Sequence, residues 1–340
     1  MIKIDGSFGE GGGQILRTSL ALSLVTGKAF CIKNIRAGRK KPGLMRQHLT
    51  AVDASAIIGQ AEIKGNYVGS PEITFIPKRV VPGHYHFAIG TAGSCTLVLQ
   101  SVLPALLIAD KYSELTLEGG THNPYAPPFD FLSDAFIPII NQMGPEVKAI
   151  LECPGFYPAG GGKFKVLIKP ANSLRRLEII ERGEIIKKVA YAKVSKLPVN
   201  IAHRELKIIQ EKLSLDNSCL KSEEIKNSIG PGNILTVQLN CEYITEVFSG
   251  FGEKGVSAEE VAIKTAKMVF EYLTSNVSVG KYLADQLLIP MAISGGGKFS
   301  TLTPTLHTLT NAEIIKKFLN IDINIAQYGE KEFLVHIDNK

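Results

Sequence analysis

Along this chain the hydrophobic positions switch between two periods, every second residue and every third or fourth, and the switch recurs in one order three times. Phe30-Cys-Ile-Lys-Asn-Ile35 alternates as a strand and leads through the polar turn Arg36-Ala-Gly-Arg-Lys-Lys-Pro-Gly43. A helix near 44–58 and strands near 60–64 and 71–76 follow. A second passage runs from Leu115-Thr-Leu-Glu118 through Gly119-Gly-Thr-His-Asn-Pro-Tyr-Ala-Pro-Pro128 to a helix near 129–142 and strands near 146–151 and 163–169. The third starts at Lys298-Phe-Ser-Thr-Leu302, crosses a loop holding His307, and continues as a helix near 311–319 and strands near 322–327 and 332–337. Gly160-Gly-Gly-Lys-Phe164 and Gly295-Gly-Gly-Lys-Phe299 repeat one short string in the last two passages. The pattern predicts an α/β (α+β) fold built on a repeated βαββ-type unit. Arranged about a pseudo-threefold axis, the units would bring loops 36–41, 121–123 and 307–311 to one end; otherwise the loops share only their form.

Between Leu177 and Asn276 the order breaks into strands near 178–182 and 185–195, a helix near 200–213, a Gly230-Pro-Gly232 turn, two further strands and a helix near 257–273. Residues 1–180 and 278–340 are therefore expected to form a large catalytic domain, and 181–277 a smaller inserted α/β domain, structural or substrate-gripping in role. A chain of 340 residues, 45% hydrophobic and 21% charged, can bury a core of that size and is too apolar to be disordered. The longest apolar run, Leu97 to Ala109, is broken by Gln100 and Pro104, and Met1-Ile-Lys-Ile-Asp5 is charged where a signal peptide would be apolar. A cytoplasmic location is expected. The five cysteines are scattered and lack a CxxC pair, which fits reduced thiols better than disulfides or zinc. The net charge of +6 permits a nucleic-acid partner without requiring one.

Chemistry concentrates in a few loops. Gly9-Glu-Gly-Gly-Gly-Gln-Ile-Leu-Arg17 opens an apolar helical run, and such a turn lets backbone N–H groups approach an anion. It is neither a Walker loop nor a dinucleotide fingerprint. Glu10 would repel a phosphate unless a cation stood between them, so it is a candidate Mg²⁺ or Mn²⁺ ligand as well as a plain loop carboxylate. Arg17 could fork onto phosphate oxygens or pair with an acid. Arg36, Arg39, Lys40, Lys41 and Arg46 crowd five cations into eleven residues around a Gly/Pro turn, suited to an RNA backbone or a polyphosphate, or simply to solvent. Gly90-Thr-Ala-Gly-Ser94 opens a second apolar helix on which Gln100 is the lone polar residue. His84 and His86 share a strand face with no third ligand nearby, which favours structural roles.

Tyr282-Leu-Ala-Asp-Gln286 begins another helix. Asp285 and Gln286 would cap it in the ordinary case, yet a ring beside carboxylate and amide groups is also what an adenine site needs, and Pro127 and Phe131 could form the opposite wall. His307, in Thr305-Leu-His-Thr-Leu-Thr-Asn311, is on local grounds a structural or solvated residue and otherwise a nucleophile.

Taken together, Gly9–Arg17, Ile35-Arg-Ala-Gly-Arg39, Lys41-Pro-Gly-Leu44, Arg46-Gln-His-Leu-Thr-Ala51, Gly93-Ser-Cys-Thr-Leu-Val-Leu-Gln100, Gly155-Phe-Tyr-Pro-Ala-Gly-Gly-Gly162 and Tyr282-Leu-Ala-Asp-Gln-Leu287 closely resemble RNA 3′-terminal phosphate cyclases, from residue 2 to about 336. The resemblance implies a large domain of repeats like the C-terminal domain of translation initiation factor three, interrupted by a smaller α/β domain. It implies His307 as the residue that carries AMP and adenine stacking by Tyr282 and Pro127. Further nucleotide contacts fall to Gln100, Phe131, Asp285 and Gln286. Metal binding falls to Glu10, and phosphate or RNA contacts to Arg17, Arg36, Arg39, Arg46 and Gln47. His122 departs from the pattern, since bacterial members have Asp there, and this leaves its role open.

The reaction so implied uses ATP and Mg²⁺ or Mn²⁺ to turn an RNA 3′-terminal phosphate into a 2′,3′-cyclic phosphate, through a histidinyl-AMP and an adenylylated RNA end, with release of AMP and pyrophosphate. ATP and RNA are the expected partners, no membrane is involved, and a homodimer is left open. Two other classes compete: a non-catalytic cyclase-like protein of ribosome assembly, which lacks the histidine, and enolpyruvyl transferases, which share a related architecture and form no protein–AMP.

Overall fold

The computed structural model describes all 340 residues. Each repeat is longer than the recurring pattern predicts, because a short strand and a buried helix, the latter read from the sequence only as a separate apolar run, precede the part that recurs. The first unit is β1 (Ile2–Asp5), α1 (Gln14–Thr26), β2 (Phe30–Lys33), α2 (Arg46–Gly59), β3 (Glu62–Lys64) and β4 (Ile73–Ile76). The second is β5 (His84–Ala88), α3 (Cys95–Leu106), β6 (Ser113–Gly119), a helical stretch made of α4 (Phe129–Phe131), a π-helical turn (Leu132–Phe136) and α5 (Ile137–Gln142), then β7 (Glu146–Cys153) and β8 (Gly162–Lys169). The third starts with β9 (Leu177–Ile179). It is interrupted by β10 (Ile185–Ser195), α6 (Asn200–Leu213), β11 (Leu220–Ile225), β12 (Gly232–Cys241), β13 (Thr245–Phe251) and α7 (Ala258–Leu273), and resumes with α8 (Lys281–Ile293), β14 (Gly296–Leu302), α9 (Leu306–Phe318), β15 (Ile321–Gln327) and β16 (Glu332–Asn339).

Each unit folds into a four-stranded mixed sheet of one connectivity: β1-β2-β4-β3, β5-β6-β8-β7 and β9-β14-β16-β15. In each, the first pair is parallel and the other two antiparallel. β9 therefore belongs to the third sheet, inside the expected bounds 1–180 although the repeated pattern breaks at Leu177. The two triple-glycine strings are not equivalent: one enters β8, the last strand of its unit, whereas the other enters β14, the counterpart of β6. Within the interruption three strands follow α6 where two were expected, because β11 is a mostly exposed edge strand with little apolar signal.

The helices of the three units pack together on one side of the sheets, α1 against α3, α2 and α9, and α8 against α9. They bury one continuous apolar core of 63 residues, so the helix starts of separate units are held at fixed distances. The β10–β13 sheet has its own core of 19 buried residues under α6 and α7, while Cys241, Ile244 and Val247 join the larger one. All five cysteines are free. No helix is long and apolar enough to cross a membrane.

One buried acid is isolated from the site. Glu205 of α6 accepts a 2.9 Å bond from Asn233 Nδ2, while Glu205 Oε1 and Asn233 Oδ1 are both buried without a partner. Burial pushes the Glu205 carboxyl up to about 7, and a protonated acid could supply the hydrogen that two orphan oxygens lack. A carboxyl whose folded pKa is raised stabilises the fold below its unfolded value near 4.5, and that contribution is lost as pH rises through about 7. Glu205→Gln should therefore add about 3 kcal/mol at pH 8 and less than about 1 kcal/mol at pH 5. Melting curves of both proteins that run parallel across this range would rule the argument out.

Candidate active site

His307 lies in the first turn of α9 and not in a loop, since the helix begins at Leu306, five residues before its expected start. Thr305 caps it by accepting the Thr308 N–H at 3.1 Å, and the polar, threonine-rich run hides this start from a hydrophobic count. The imidazole opens onto a cleft, and its Nδ1 lies 2.6 Å from Gln14 Oε1 at the first residue of α1. Gln14 Nε2 in turn donates to Asp285 Oδ1 at 2.6 Å. Asp285 sits in the second turn of α8, whose cap is Gly280, so it serves the site and does not cap the helix. Its carboxylate also accepts from Asn311 Nδ2 at 3.1 Å and from Gln286 Nε2 at 3.1 Å. Thr18 Oγ1 fixes Asn311 by donating to its Oδ1 at 2.8 Å. Gln286 Oε1 accepts from Gln100 Nε2, and Gln100 Oε1 accepts from Arg17 Nε at 3.3 Å. One polar network thus joins α1, α3, α8 and α9.

Partial burial lowers the pKa of His307 against the opposing pull of Asp285, and Arg17 and Arg39 add to the lowering. The ring is therefore neutral and carries a lone pair at neutral pH. Burial acts the other way on Asp285 and raises its pKa, while His307, Gln14, Asn311 and Arg17 pull it back. Arg17 is lowered by burial to about 10 and remains a cation.

The cleft in front of His307 has a volume of about 1050 Å³ including its mouth. Arg17, Gln100, Pro127, Phe131, Tyr282, Asp285 and Gln286 line it with His307, so all six expected nucleotide contacts meet the candidate nucleophile in one place. Tyr282 is exposed at its rim and Phe131 is buried beneath. Val247, Ser249 and Phe251 of β13 form a further wall that the sequence did not foretell, and Ser249 Oγ there is buried without a partner.

The basic loop meets the site through Glu10. Gly9 has φ +56°, and a Cβ on it would strike Thr310, so only glycine lets this turn lie against α9. Thr310 Oγ1 then receives the Glu10 N–H at 3.0 Å. Glu10 Oε1 is bound by Arg39, while Oε2 is buried with no partner. Neither Glu10 nor Arg39 lines the cleft itself, and the other three basic-loop candidates also lie outside it. Arg36 (φ +53°) donates to the carbonyls of Lys41 and Gly43 at 2.6 and 2.9 Å and so shapes its own loop. Gln47 Oε1 accepts the Ser94 N–H at 2.6 Å, one residue before α3, and Arg46 begins α2.

His122 also stands apart from the cleft. It is buried, bonded to Thr121 Oγ1 at 2.7 Å and to Asp130 Oδ2 at 2.8 Å. Lys193 of β10 meets the other Asp130 oxygen at 2.6 Å. Burial opposes the charge on Asp130, yet His122 and Lys193 hold its carboxyl below the ordinary range. His122 therefore braces an ion pair between the second unit and the interrupting sheet. His84 and His86 pair with Glu114 and Glu118 on the surface of their sheet, and no group of three metal-binding side chains forms there.

The arrangement defines a class: an α/β protein in which helix starts from three repeated units focus a neutral histidine on a deep, aromatic-rimmed cleft. Residues 8–325 match the family model of RNA 3′-terminal phosphate cyclase. The chain is 51% identical over 327 residues to an RNA 3′-terminal phosphate cyclase of Koribacter versatilis, covering 96% of this chain and 92% of that protein. It is 45% identical over 336 residues to the protein of that name from Ectopseudomonas mendocina, covering 99% and 98%, and 42% identical over 339 residues to that of Salmonella enteritidis, covering 100% and 99%. The chain belongs to the RNA 3′-terminal phosphate cyclase family.

Proposed function

We propose that this protein converts an RNA 3′-terminal phosphate into a 2′,3′-cyclic phosphate at the expense of ATP, with His307 carrying AMP. The observation that carries the proposal is the meeting of a neutral His307 with Tyr282, Pro127, Phe131, Gln100, Asp285 and Gln286 around one cleft. Tyr282 and Pro127 would grip adenine between them, Phe131 would close its edge, and the polar trio would hold the ribose and base. His307 attacks the α-phosphorus and pyrophosphate departs, its charge met by Arg17 and Arg39. The RNA 3′-phosphate then takes the AMP to give a phosphoanhydride. Attack by the neighbouring 2′-hydroxyl closes the ring and expels AMP, a step made favourable by the fixed vicinal geometry. Arg36, Arg46 and Gln47 would act on the RNA side through the basic loop they build.

The orphan Oε2 of Glu10 fits a divalent cation, which Mg²⁺ or Mn²⁺ would satisfy with one carboxylate oxygen and the phosphates of the nucleotide. Such an ion would supply charge neutralisation at the pyrophosphate. Glu10→Ala should accordingly slow adenylylation by about 10²-fold and leave the fold in place. Raised Mg²⁺ or Mn²⁺ should recover part of that rate, whereas an unchanged metal dependence would return Glu10 to the role of an Arg39 partner.

The same proposal makes residues 1–180 and 278–340 one domain of initiation-factor-three-like repeats and 181–277 its insertion, supported by the shared sheet order and the separate second core. Incubation with α-labelled ATP followed by denaturing electrophoresis tests the function directly. A labelled protein band, stable to alkali and lost in acid as a phosphoramidate should be, is the expected result. An unlabelled protein that still cyclises RNA would overturn it.

A further inference from the structure

Gln14 is a neutral residue at a helix start, buried to 5% exposure, and both ends of its amide are committed to charged or reactive partners. One end meets Asp285 Oδ1 and the other His307 Nδ1, each at 2.6 Å. The order in which the two amide ends are placed is fixed by chemistry. Asp285 accepts from Asn311 and Gln286 as well, so its carboxylate is an acceptor throughout and only the NH₂ of Gln14 can face it. Turning the amide over would set oxygen against carboxylate at contact distance. The amide oxygen therefore points at His307, and an amide oxygen only accepts. Asn311, the other fixed point, is itself locked by donating its NH₂ to the Asp285 main-chain carbonyl at 3.1 Å.

We infer that Gln14 is a positioning residue for the transfer of AMP: the relay Asp285–Gln14–His307 holds the imidazole as its Nδ1–H tautomer, so that the lone pair used in attack is on Nε2. The inference rests on the reading of His307 as nucleophile and adds the residue that sets the tautomer of its ring. Nε2 forms a bond to the α-phosphorus while the bond from that phosphorus to the bridging oxygen breaks, and its electron pair leaves with pyrophosphate. No proton is removed, because the Nδ1 hydrogen stays on the ring. The adduct is thus an imidazolium phosphoramidate whose positive charge faces Gln14 Oε1. When an oxygen of the RNA 3′-phosphate takes the phosphorus, the N–P pair returns to Nε2 and the starting tautomer is restored. A carboxylate in direct contact with Nδ1 would fix the same tautomer but favour the protonated ring, which has no lone pair. Interposing an amide transmits the orientation and keeps the full charge one residue away.

The test uses the full chain with ¹⁵N-labelled histidine, and the His307 ring signals are identified by their loss in His307→Asn. Long-range ¹⁵N–¹H correlation on the unliganded protein should show His307 protonated on Nδ1. In Gln14→Met, which keeps side-chain length and has no amide, the two tautomers should mix. Single-turnover labelling by α-labelled ATP should then slow by about 10²-fold, with half-saturation by ATP little changed. An Nε2-protonated ring in the parent protein overturns the inference, whether or not the variant folds. So does a Gln14→Met protein with the parent's tautomer and rate. Failure of the underlying reading looks different: His307→Asn would still become labelled.

Discussion

Protein bearing His307→Ala should take up no label from α-labelled ATP and form no cyclic RNA ends, while its unfolding free energy should stay within about 1 kcal/mol of the parent. The mild effect on folding follows from position. His307 is exposed in the first turn of α9, the cap belongs to Thr305, and removing the ring opens no core. The effect on chemistry should be total because nothing else on the cleft wall offers a nitrogen with a free lone pair at neutral pH: the Gln100 and Gln286 amides have theirs delocalised, and Arg17 and Lys281 are cations. Since only the neutral ring attacks and the pKa of His307 is lowered, the parent's labelling rate should hold level down through pH 6.5 and fall only below it. A rate that climbs steeply between pH 6.5 and 8 would place an ordinary or raised histidine in the step, and wild-type labelling of the alanine protein would exclude His307 altogether.

The second large effect is expected at the RNA end. A 3′-phosphorylated strand whose terminal 2′-hydroxyl is replaced by hydrogen should accept AMP and never cyclise, so that the adenylylated end accumulates to near the amount of RNA supplied. In the proposed route the 3′-phosphate is the acceptor in the first transfer, whereas the missing hydroxyl is the nucleophile in the second. RNA ending in a 3′-hydroxyl should give neither product. Denaturing gels resolve the three ends. Normal cyclisation of the ribose form together with no adenylylated deoxy strand would show that the stepwise anhydride route is wrong, or that the 2′-hydroxyl is also needed to bind.

The parts of the fold that the sequence revealed are those with one wet face. β2, β6 and β14 alternate or lead into recognisable loops, and the helices near 44–58 and 129–142 fall close to α2 and to the stretch from α4 to α5. The parts it left outside the repeat or missed are buried all round or scarcely buried at all. The apolar helical runs after Gly9–Arg17 and Gly90–Ser94 were legible singly, but nearly every residue of α1 and α3 is buried, so neither helix shows a polar side that would mark it as part of a repeat. β11, which carries Lys221, Ser222, Glu223 and Glu224 in the open, was missed. For the site, the residues singled out near helix starts, together with the resemblance that gave Gln100 and Pro127 their nucleotide contacts, were enough to collect the cleft lining. Gln14 was passed over inside its glycine-rich turn, although a polar residue on an otherwise buried helix start was a usable sign. Ser249 and Phe251 could not be found locally, since β13 reads as any alternating strand and what lies above it is decided by packing across units.

β13 belongs by hydrogen bonding to the β10–β13 sheet and by position to the cleft, while Glu246 on the same strand accepts the Gly280 N–H at 2.6 Å, at the cap of α8. A guest in the cleft would consequently touch elements of both buried cores, of the larger body and the smaller, at once, and its binding free energy would be shared between them. By linkage, each multiple of its dissociation constant at which it is present makes both bodies harder to unfold. Heating the liganded protein then melts it as a single cooperative block, and sequence drift in the smaller body is free on the outer side of α6 but answerable, along residues 246–251, to the same guest that occupies the larger one.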